Sequence, residues 1–370
     1  MMQQPYTVSR DDIHAWLREE DPTRLEALWR MADETRKANV GDAVHLRGLI
    51  EISSYCSRQC GYCGLRSGNR SIDRYRMSAD EILECARQAV EFGYGTVVMQ
   101  SGEDWGITCA WMADVVRRIK AETPLAVTLS LGERTDEELA TWKEAGADRY
   151  LLRFETSDPE LYRLIHPTPA DRPRQDRMEI LRVLRGLGYE VGSGVMVGIP
   201  GQTYDTLARD IDTFRALDLD MVGVGPYISH PATPLGSGGW RRQIPPEEQV
   251  PNTEGMTYKV VALTRLVAPE ANIPSTTALA TLNRAQGRET GLRRGANVVM
   301  PNLTPVKYRE MYEIYPAKVC INETSNECRF CMQVRIQSIG RALGTGQGGR
   351  VRGGVPTAGQ TDAPNRQGDV

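Results

Sequence analysis

Short apolar segments alternate with longer amphipathic segments between residues 44 and 303. The short segments are bounded by glycine, proline or polar residues, which is typical of buried parallel strands. Most of the segments between them have apolar residues at helical spacing, and Gly93, Gly146 and Gly188 stand where helices commonly end. The eight predicted strands are VHLRGLIEIS, GTVVMQSG, LAVTLSLG, DRYLLRFE, EVGSGVMVGIP, DMVGVGPYI, NIPSTTAL and NVVMPNL.

Eight strands with seven helices between them predict an α/β fold of the (β/α)₈ TIM-barrel type, which usually takes about 250 residues. Residues 44–305 provide that length. An open, doubly wound sheet is the alternative, but no glycine-rich dinucleotide-binding turn follows the first strand.

Three further segments flank the predicted barrel. Residues 1–43 form an N-terminal helical segment, with Ser9 as the N-cap of its first helix and a role as a lid or a packing layer. Residues 306–343 form a C-terminal extension that contains a second group of cysteines. Glycine, proline and polar residues predominate in residues 344–370, so we predict a disordered tail there.

Composition narrows the possible partners. The chain has 370 residues and a formal charge of −3, which gives no electrostatic reason to expect nucleic acid. No apolar run approaches the roughly 18 residues needed to cross a membrane, and the polar N-terminus lacks the apolar core of a signal peptide. We therefore expect a cytoplasmic protein. Thiols stay reduced in that compartment, so clustered cysteines indicate metal ligands or catalytic groups before disulfides.

Six of the eight cysteines form two groups. The first triad is Cys56, Cys60 and Cys63, and the second is Cys320, Cys328 and Cys331. The other two, Cys85 and Cys109, belong to helical patterns and are expected to pack as small apolar residues. The first triad directly follows the first predicted strand, which places it at the carboxyl-terminal rim of the barrel, where barrel enzymes carry out chemistry.

Three thiols suit an iron–sulfur cluster better than the alternatives. A structural zinc ion takes four ligands, and a disulfide would leave one thiol of the triad unpaired. A four-iron cubane normally has one thiolate per iron, so three thiolates leave one iron open for a substrate or cofactor. A zinc site with a distant fourth ligand and a disulfide remain as alternatives.

The spacing Cys-x₃-Cys-x₂-Cys, with Tyr62 before the third cysteine, resembles the signature of radical S-adenosylmethionine (SAM) enzymes. The resemblance implies a [4Fe–4S] cluster whose open iron binds the methionine end of SAM. An electron from the cluster then cleaves SAM and yields a 5′-deoxyadenosyl radical. Two other segments resemble motifs of this superfamily that contact SAM, namely QSGED at 100–104 and VGIPGQT at 197–203.

Longer segments resemble the HydE family of [FeFe]-hydrogenase maturases. They include TLSLGE, GADRYLLRFETSDPELYRLIHP, DMVGVGPYISHPATPL and GANVVMPNLTPVKYREMYEIYPAKVC, and the likeness extends from about residue 45 to 345. It implies a full barrel with a closed internal cavity and a role in assembling the di-iron subcluster of the hydrogenase. The implied substrate is an iron complex that carries cysteine, carbon monoxide and cyanide, and the radical would attack the cysteine sulfur. Other hydrogenase maturases and an electron donor are the implied partners.

The resemblance also implies roles for individual residues, although it assigns no catalytic side chain. The first triad would bind the cubane. The expected SAM contacts are Glu103, Ser130, Glu155 and Arg177. The expected substrate contacts are Arg153, Thr276, Thr277 and Tyr312. The alternative for each of these residues is an ordinary ion pair, helix cap or packed side chain of a barrel. Phe154 departs from the histidine common in this family, and it should face away from its two neighbours.

The second triad matches the spacing of an accessory two-iron cluster in some HydE proteins. Its segment, CINETSNECRFC, is polar and is expected to be a surface loop. The alternative is a partly filled site or three unligated thiols.

Three other functions remain open. One is another radical SAM activity of the same subgroup, such as methylornithine synthase, with biotin synthase more distant. The second is a non-catalytic iron–sulfur electron carrier that uses both clusters. The third is a zinc-stabilised scaffold protein.

Overall fold

Parallel strands form a closed barrel in the computed structural model, which describes residues 8–168 and 176–353. Seven strands hydrogen-bond in the order β6-β5-β4-β3-β2-β1-β7, with every neighbouring pair parallel. Their bounds are β1 Ala43–Ser53, β2 Thr96–Ser101, β3 Ala126–Ser130, β4 Arg149–Leu151, β5 Glu190–Val197, β6 Met221–Pro226 and β7 Val298–Val299.

The gap between β6 and β7 is closed by residues 272–274. Asn272 forms a parallel bridge with Met221 of β6, and Pro274 forms one with Val298 of β7. The seventh predicted strand, NIPSTTAL, is therefore present as the eighth member of the ring, and the predicted (β/α)₈ barrel is confirmed. This strand is shorter than predicted because Thr276 caps a helix, and its hydroxyl accepts a hydrogen bond from the backbone N–H of Leu279.

Helices cover the outside of the barrel. Those before β5 are α1 Arg10–Arg18, α2 Pro22–Val40, α3 Ala79–Glu91, α4 Cys109–Glu122, α5 Asp136–Glu144, α6 Pro159–Ile165 and α7 Arg177–Gly186. Those after β5 are α8 Tyr204–Ala216, α9 Glu254–Val267, α10 Thr277–Leu282, α11 Gly287–Arg293, α12 Val306–Arg309 and α13 Ser325–Ser338. None of the helices within residues 8–168 and 176–353 is long and apolar enough to cross a bilayer.

The N-terminal helices form a packing layer rather than a lid. Ser9 caps α1 as predicted, in a reciprocal arrangement with Asp12. Helix α1 packs against α8 and α9, and α2 packs against α9. Lys259 of α9 donates to the carbonyl oxygen of Leu17 at 3.1 Å, which ties this layer to the barrel wall.

The start of the predicted tail is part of the barrel floor. A short strand, β8 (Ala342–Leu343), pairs with the first residues of β1. The chain then crosses the base of the barrel, and the carbonyl oxygen of Gly348 accepts from Arg47 at 2.9 Å. The carbonyl oxygen of Gln347 accepts from Arg149 at 3.0 Å and from Thr96 at 2.8 Å.

The prediction of disorder from residue 344 is therefore wrong for residues 344–353. It rested on the lack of apolar side chains, whereas this segment is held through its backbone carbonyls by buried guanidinium groups. The rest of the predicted tail, residues 354–370, lies outside the described residues.

A chain that ends after Leu343 should be less stable than one that ends after Gly353. Arg47 and Arg149 would lose the carbonyl oxygens of residues 348 and 347 as acceptors, and hydrogen bonds to charged groups contribute about 1.5–3 kcal/mol each. We expect the free energy of unfolding to fall by at least about 2 kcal/mol, measured by denaturant titration of both chains. Equal unfolding midpoints would contradict a structural role for the floor segment.

Candidate active site

The loop that carries the first cysteine triad directly follows β1 and is fixed by close backbone contacts. The N–H of Gly61 donates to Ile165 O at 2.8 Å, and the N–H of Gly64 donates to Ile314 O at 3.0 Å. A Cβ atom at residue 64 would lie 2.1 Å from the carbonyl oxygen of Glu313, so only glycine allows this approach. The loop is thereby held between the segment after β4 and the C-terminal extension.

Cys60 is buried, and Cys56 and Cys63 are partly buried. Burial raises the pKa of Cys56 and of Cys60, and it raises the pKa of Cys63 to about 12. Nearby thiolate charge adds to this effect, because a charged Cys56 would further raise the pKa of Cys60. Binding of a metal group to these thiols would therefore have to displace protons.

The number of thiols fits a cluster better than one zinc ion. Within the described ranges, no three His, Cys, Asp or Glu side chains form a group that could hold a single metal ion. Structural zinc takes four ligands in a tetrahedron. In a cubane each thiolate binds a different iron, so three thiolates leave one iron open. The donor set of three thiols on one loop therefore suits a [4Fe–4S] cluster.

A cavity of about 350 Å³ lies inside the barrel beneath this loop. Cys56, Cys63 and Tyr62 contribute to its wall at the loop end. The structure brings seven of the eight predicted SAM and substrate contacts to the same wall, namely Ser130, Arg153, Glu155, Arg177, Thr276, Thr277 and Tyr312. The cysteine loop and these side chains thus share one interior space.

Glu155 has a strained backbone and a carboxylate in the cavity wall. Its φ is +63°, a left-handed conformation that is uncommon for a residue with a side chain and clusters at functional sites. Its Oε2 atom is buried and accepts no hydrogen bond from the described residues, although Arg153 Nη2 lies 3.3 Å away as an ion pair. Phe154 packs against Phe214 of α8, with ring centroids 5.8 Å apart, so it faces away from the cavity as expected.

Arg177 belongs to a network of charges beside the cysteine loop. Its Nε donates to Glu133 at 2.9 Å, and its Nη1 donates to the carbonyl oxygen of Arg153 at 2.7 Å. Arg58, from the cysteine loop itself, forms ion pairs with both Glu133 and Glu103. Sequence reasoning missed Arg58 and Glu133, although each stands within three residues of a predicted contact, Cys60 and Ser130 respectively.

Glu103 is the predicted SAM contact that does not line the cavity. Its Oε1 lies 2.7 Å from Arg58 Nε, and its Oε2 accepts from the N–H of Glu133 at 3.0 Å. Gly132, with φ of +80°, makes room for this carboxylate, because a Cβ there would lie 2.9 Å from Oε2. The backbone N–H of Glu103 donates to Cys56 Sγ at 3.4 Å. Glu103 therefore contacts the candidate site through its backbone.

The second triad lies partly on a helix, so the predicted surface loop is wrong for residues 325–331. Cys328 and Cys331 belong to α13, which begins with a reciprocal cap between Thr324 and Glu327. That capping pattern is present in the sequence, but the polar composition of the segment favours a loop over a helix. Cys320 lies before the helix with φ of +64°.

Positive charge surrounds this second group of thiols. Arg288 Nη2 lies 3.8 Å from Cys320 Sγ, and Arg335 Nε lies 3.4 Å from Cys331 Sγ. A hydrogen bond from Cys328 lowers the pKa of Cys320, and the charge of Arg288 lowers it further. Cys320 and Cys331 line an open pocket of about 750 Å³ with these arginines, whereas Cys328 is buried. The arrangement suits an anionic group held by thiolates.

Comparisons with known proteins identify the family of this chain. Residues 50–214 match the family model for the radical SAM superfamily. The chain is 48% identical over 327 residues to the [FeFe] hydrogenase maturase subunit HydE of Thermotoga maritima, covering 88% of this chain and 89% of that protein. It is 28% identical over 296 residues to 3-methylornithine synthase of Methanosarcina acetivorans, covering 80% and 79% of the two chains.

A solved structure supports the fold. The crystal structure of methylornithine synthase superimposes with a TM-score of 0.74 at 24% identity, covering 92% of this chain and 95% of that one. From the cysteine loop, the shared cavity and the extent of the match to HydE, we conclude that this chain is a radical SAM enzyme and belongs to the family of the [FeFe] hydrogenase maturase HydE.

Proposed function

We propose that this enzyme acts in the assembly of the [FeFe]-hydrogenase active site, on an iron complex that carries cysteine, carbon monoxide and cyanide. Family membership implies a [4Fe–4S] cluster and SAM. The observation that carries the proposal is the single cavity beneath the cysteine loop, onto which the expected SAM and substrate contacts converge. We place the enzyme in the cytoplasm, where its free thiols stay reduced.

The first triad would hold the cluster, and the cavity wall would hold SAM. When bound, the reduced cluster supplies the electron that cleaves SAM to a 5′-deoxyadenosyl radical. Glu155 would accept hydrogen bonds from hydroxyl or ammonium groups of SAM through Oε2, which forms an ion pair with Arg153 but accepts no hydrogen bond from the described residues. Arg177 would pair a carboxylate with its planar fork, and Ser130 would add a hydroxyl. Glu103 would contribute indirectly, by holding Arg58 and the Cys56 thiol in place.

The residues of the proposed substrate site line the same cavity. Arg153 would bind a carboxylate of the cysteine, and Thr276, Thr277 and Tyr312 would contact the remaining polar groups. The hydroxyl of Thr276 already caps α10, so this side chain is pre-positioned. The position of the cavity inside the barrel would limit the access of water to the radical.

One assay tests this proposal. The protein is loaded with iron and sulfide without oxygen, reduced and given SAM, and 5′-deoxyadenosine is measured with either the cysteine-bearing iron complex or lysine present. We expect product to form and the iron complex to be consumed. Absence of 5′-deoxyadenosine from a fully loaded enzyme would refute the radical reaction. Consumption of lysine instead would favour the methylornithine synthase reaction.

We also propose that the second triad binds a [2Fe–2S] cluster. Replacement of Cys331 by alanine should remove this cluster, because the variant would keep only two of the three thiols. We expect the iron content to fall by about two atoms per chain and the two-iron spectrum to disappear, while the four-iron spectrum remains. Cys85→Ala, at a buried cysteine remote from both triads in sequence, is the matched control. Unchanged iron content in Cys331→Ala would refute this site.

A further inference from the structure

A buried ion pair, which sequence reasoning did not single out, lines the same cavity. It joins Lys318 of the C-terminal extension to Glu51 of β1, and their side chains are only 5% and 1% exposed. Lys318 Nζ also lies 3.4 Å from the carbonyl oxygen of Tyr312 and 5.1 Å from the centre of its ring. The extension therefore places a charged side chain inside the barrel.

Glu51 belongs to a polar layer across three neighbouring strands. It stands next to Gln100 in the register of β1 and β2, and Gln100 stands next to Ser130 in the register of β2 and β3. All three residues line the cavity. Lys318 binds at one end of this layer, and Ser130, an expected SAM contact, is at the other. The layer thus connects the ion pair to the SAM region.

Stability alone does not account for the pair. Removing two charges from water costs several kcal/mol per ion, and apolar residues often replace a buried pair without loss of stability. Both carboxylate oxygens of Glu51 have partners, because the second oxygen accepts a hydrogen bond from Asn302 at 3.1 Å. The ammonium group of Lys318 has three N–H donors, and within the described residues it has acceptors for two, Glu51 and the carbonyl oxygen of Tyr312. One donor of this buried cation is left without an acceptor among the described residues, and Lys318 lines both the interior cavity and the open pocket beside the second triad.

We propose that Lys318, held in place by Glu51, is a second substrate-binding residue that donates a hydrogen bond to an anionic or strongly accepting group of the substrate. This inference rests on the proposed function. Arg153 follows β4, three strands around the ring from β1, so two cationic groups flank the cavity from different sides. A substrate with two accepting groups, such as a carboxylate and a cyanide on one iron complex, matches this arrangement. Arg153 would take one group and Lys318 the other.

The test compares binding of the cysteine-bearing iron complex to SAM-loaded holoenzyme variants. Glu51→Gln/Lys318→Met removes both charges, so that no uncompensated charge remains buried. We expect its Kd for the complex to rise roughly 10- to 100-fold, as for the loss of a charge-assisted hydrogen bond. L-cysteine is the second probe. If the double variant loses affinity only for the iron complex, Lys318 binds the cyanide. If it loses affinity for the complex and for L-cysteine alike, Lys318 binds the carboxylate.

Two further variants separate binding from folding. Lys259→Met changes another buried lysine that pairs with a glutamate, Glu20, outside the cavity, and should bind the complex like the parent enzyme. Lys318→Arg keeps the ion pair and should bind the iron complex more tightly than the double variant does. This expectation does not depend on the stability of the double variant. Equal binding by the parent, Lys318→Arg and double variants would overturn the inference alone. Failure of the parent enzyme itself to bind or consume the complex would overturn the proposed function together with it.

Discussion

Replacement of Cys60 by alanine should abolish formation of 5′-deoxyadenosine. Cys60 is the most buried thiol of the first triad and lies on a loop that backbone contacts hold in place, so another residue cannot readily take over as ligand. Two thiolates would remain for a cluster that needs three in this family. We expect the four-iron absorption and electron paramagnetic resonance signals to disappear and SAM cleavage to fall to background. The spectra of the anaerobically reconstituted variant report on the cluster. Chromatography of the reaction product reports on SAM cleavage.

Cys109→Ala is the matched control for this prediction. Cys109 is a free, partly buried cysteine at the start of α4, outside both triads and outside the cavity wall. We expect it to load a full cluster and to cleave SAM at the rate of the parent enzyme. A four-iron spectrum of normal intensity in Cys60→Ala would refute the assignment of the first triad.

Glu155→Gln should weaken SAM binding strongly while preserving the fold. Glutamine keeps the shape of the side chain but loses the charge that now faces Arg153 at 3.3 Å. Hydrogen bonds to charged groups contribute about 1.5–3 kcal/mol, and about 1.4 kcal/mol corresponds to a tenfold change in affinity. We therefore expect the Kd for SAM to rise roughly 10- to 100-fold, measured by calorimetry on the cluster-loaded enzyme.

A surface variant shows whether this effect is specific. Glu137 is an exposed glutamate in the first turn of α5, and Glu137→Gln should leave SAM affinity unchanged. Thermal unfolding of both variants should resemble that of the parent enzyme. If Glu155→Gln bound SAM as tightly as Glu137→Gln, Glu155 would be an ordinary partner of Arg153 rather than a ligand of SAM.

The barrel was predictable because its signals are local. Each buried strand is a short apolar segment with clear breaks, and the cysteine spacing lies within eight residues. Residues close to strand ends, such as Ser130 and Glu155, could be placed at the rim from the strand prediction alone. The structure locates both in the cavity wall.

The remaining features depend on contacts that are distant in sequence. Glu51 and Lys318 are 267 positions apart, and each is unremarkable in its own segment. The floor segment is polar and rich in glycine, so composition favoured disorder, and only the buried Arg47 and Arg149 explain why it is held. Glu103 is an expected SAM contact from its motif, but its carboxylate pairs with Arg58, a partner that no local pattern indicates.

The floor segment also affects the order of events during synthesis. All strands of the barrel have been made by residue 299, but Arg47 meets its acceptor in Gly348, 301 positions later in the chain. Since proteins emerge from the ribosome N-terminus first, a nascent chain can pair its strands well before its base is sealed. A polypeptide that stops between residues 305 and 341 would contain the full ring of strands, yet its interior would open to solvent from below. Chaperones and proteases can therefore encounter a barrel with an open base before the floor segment has been synthesised.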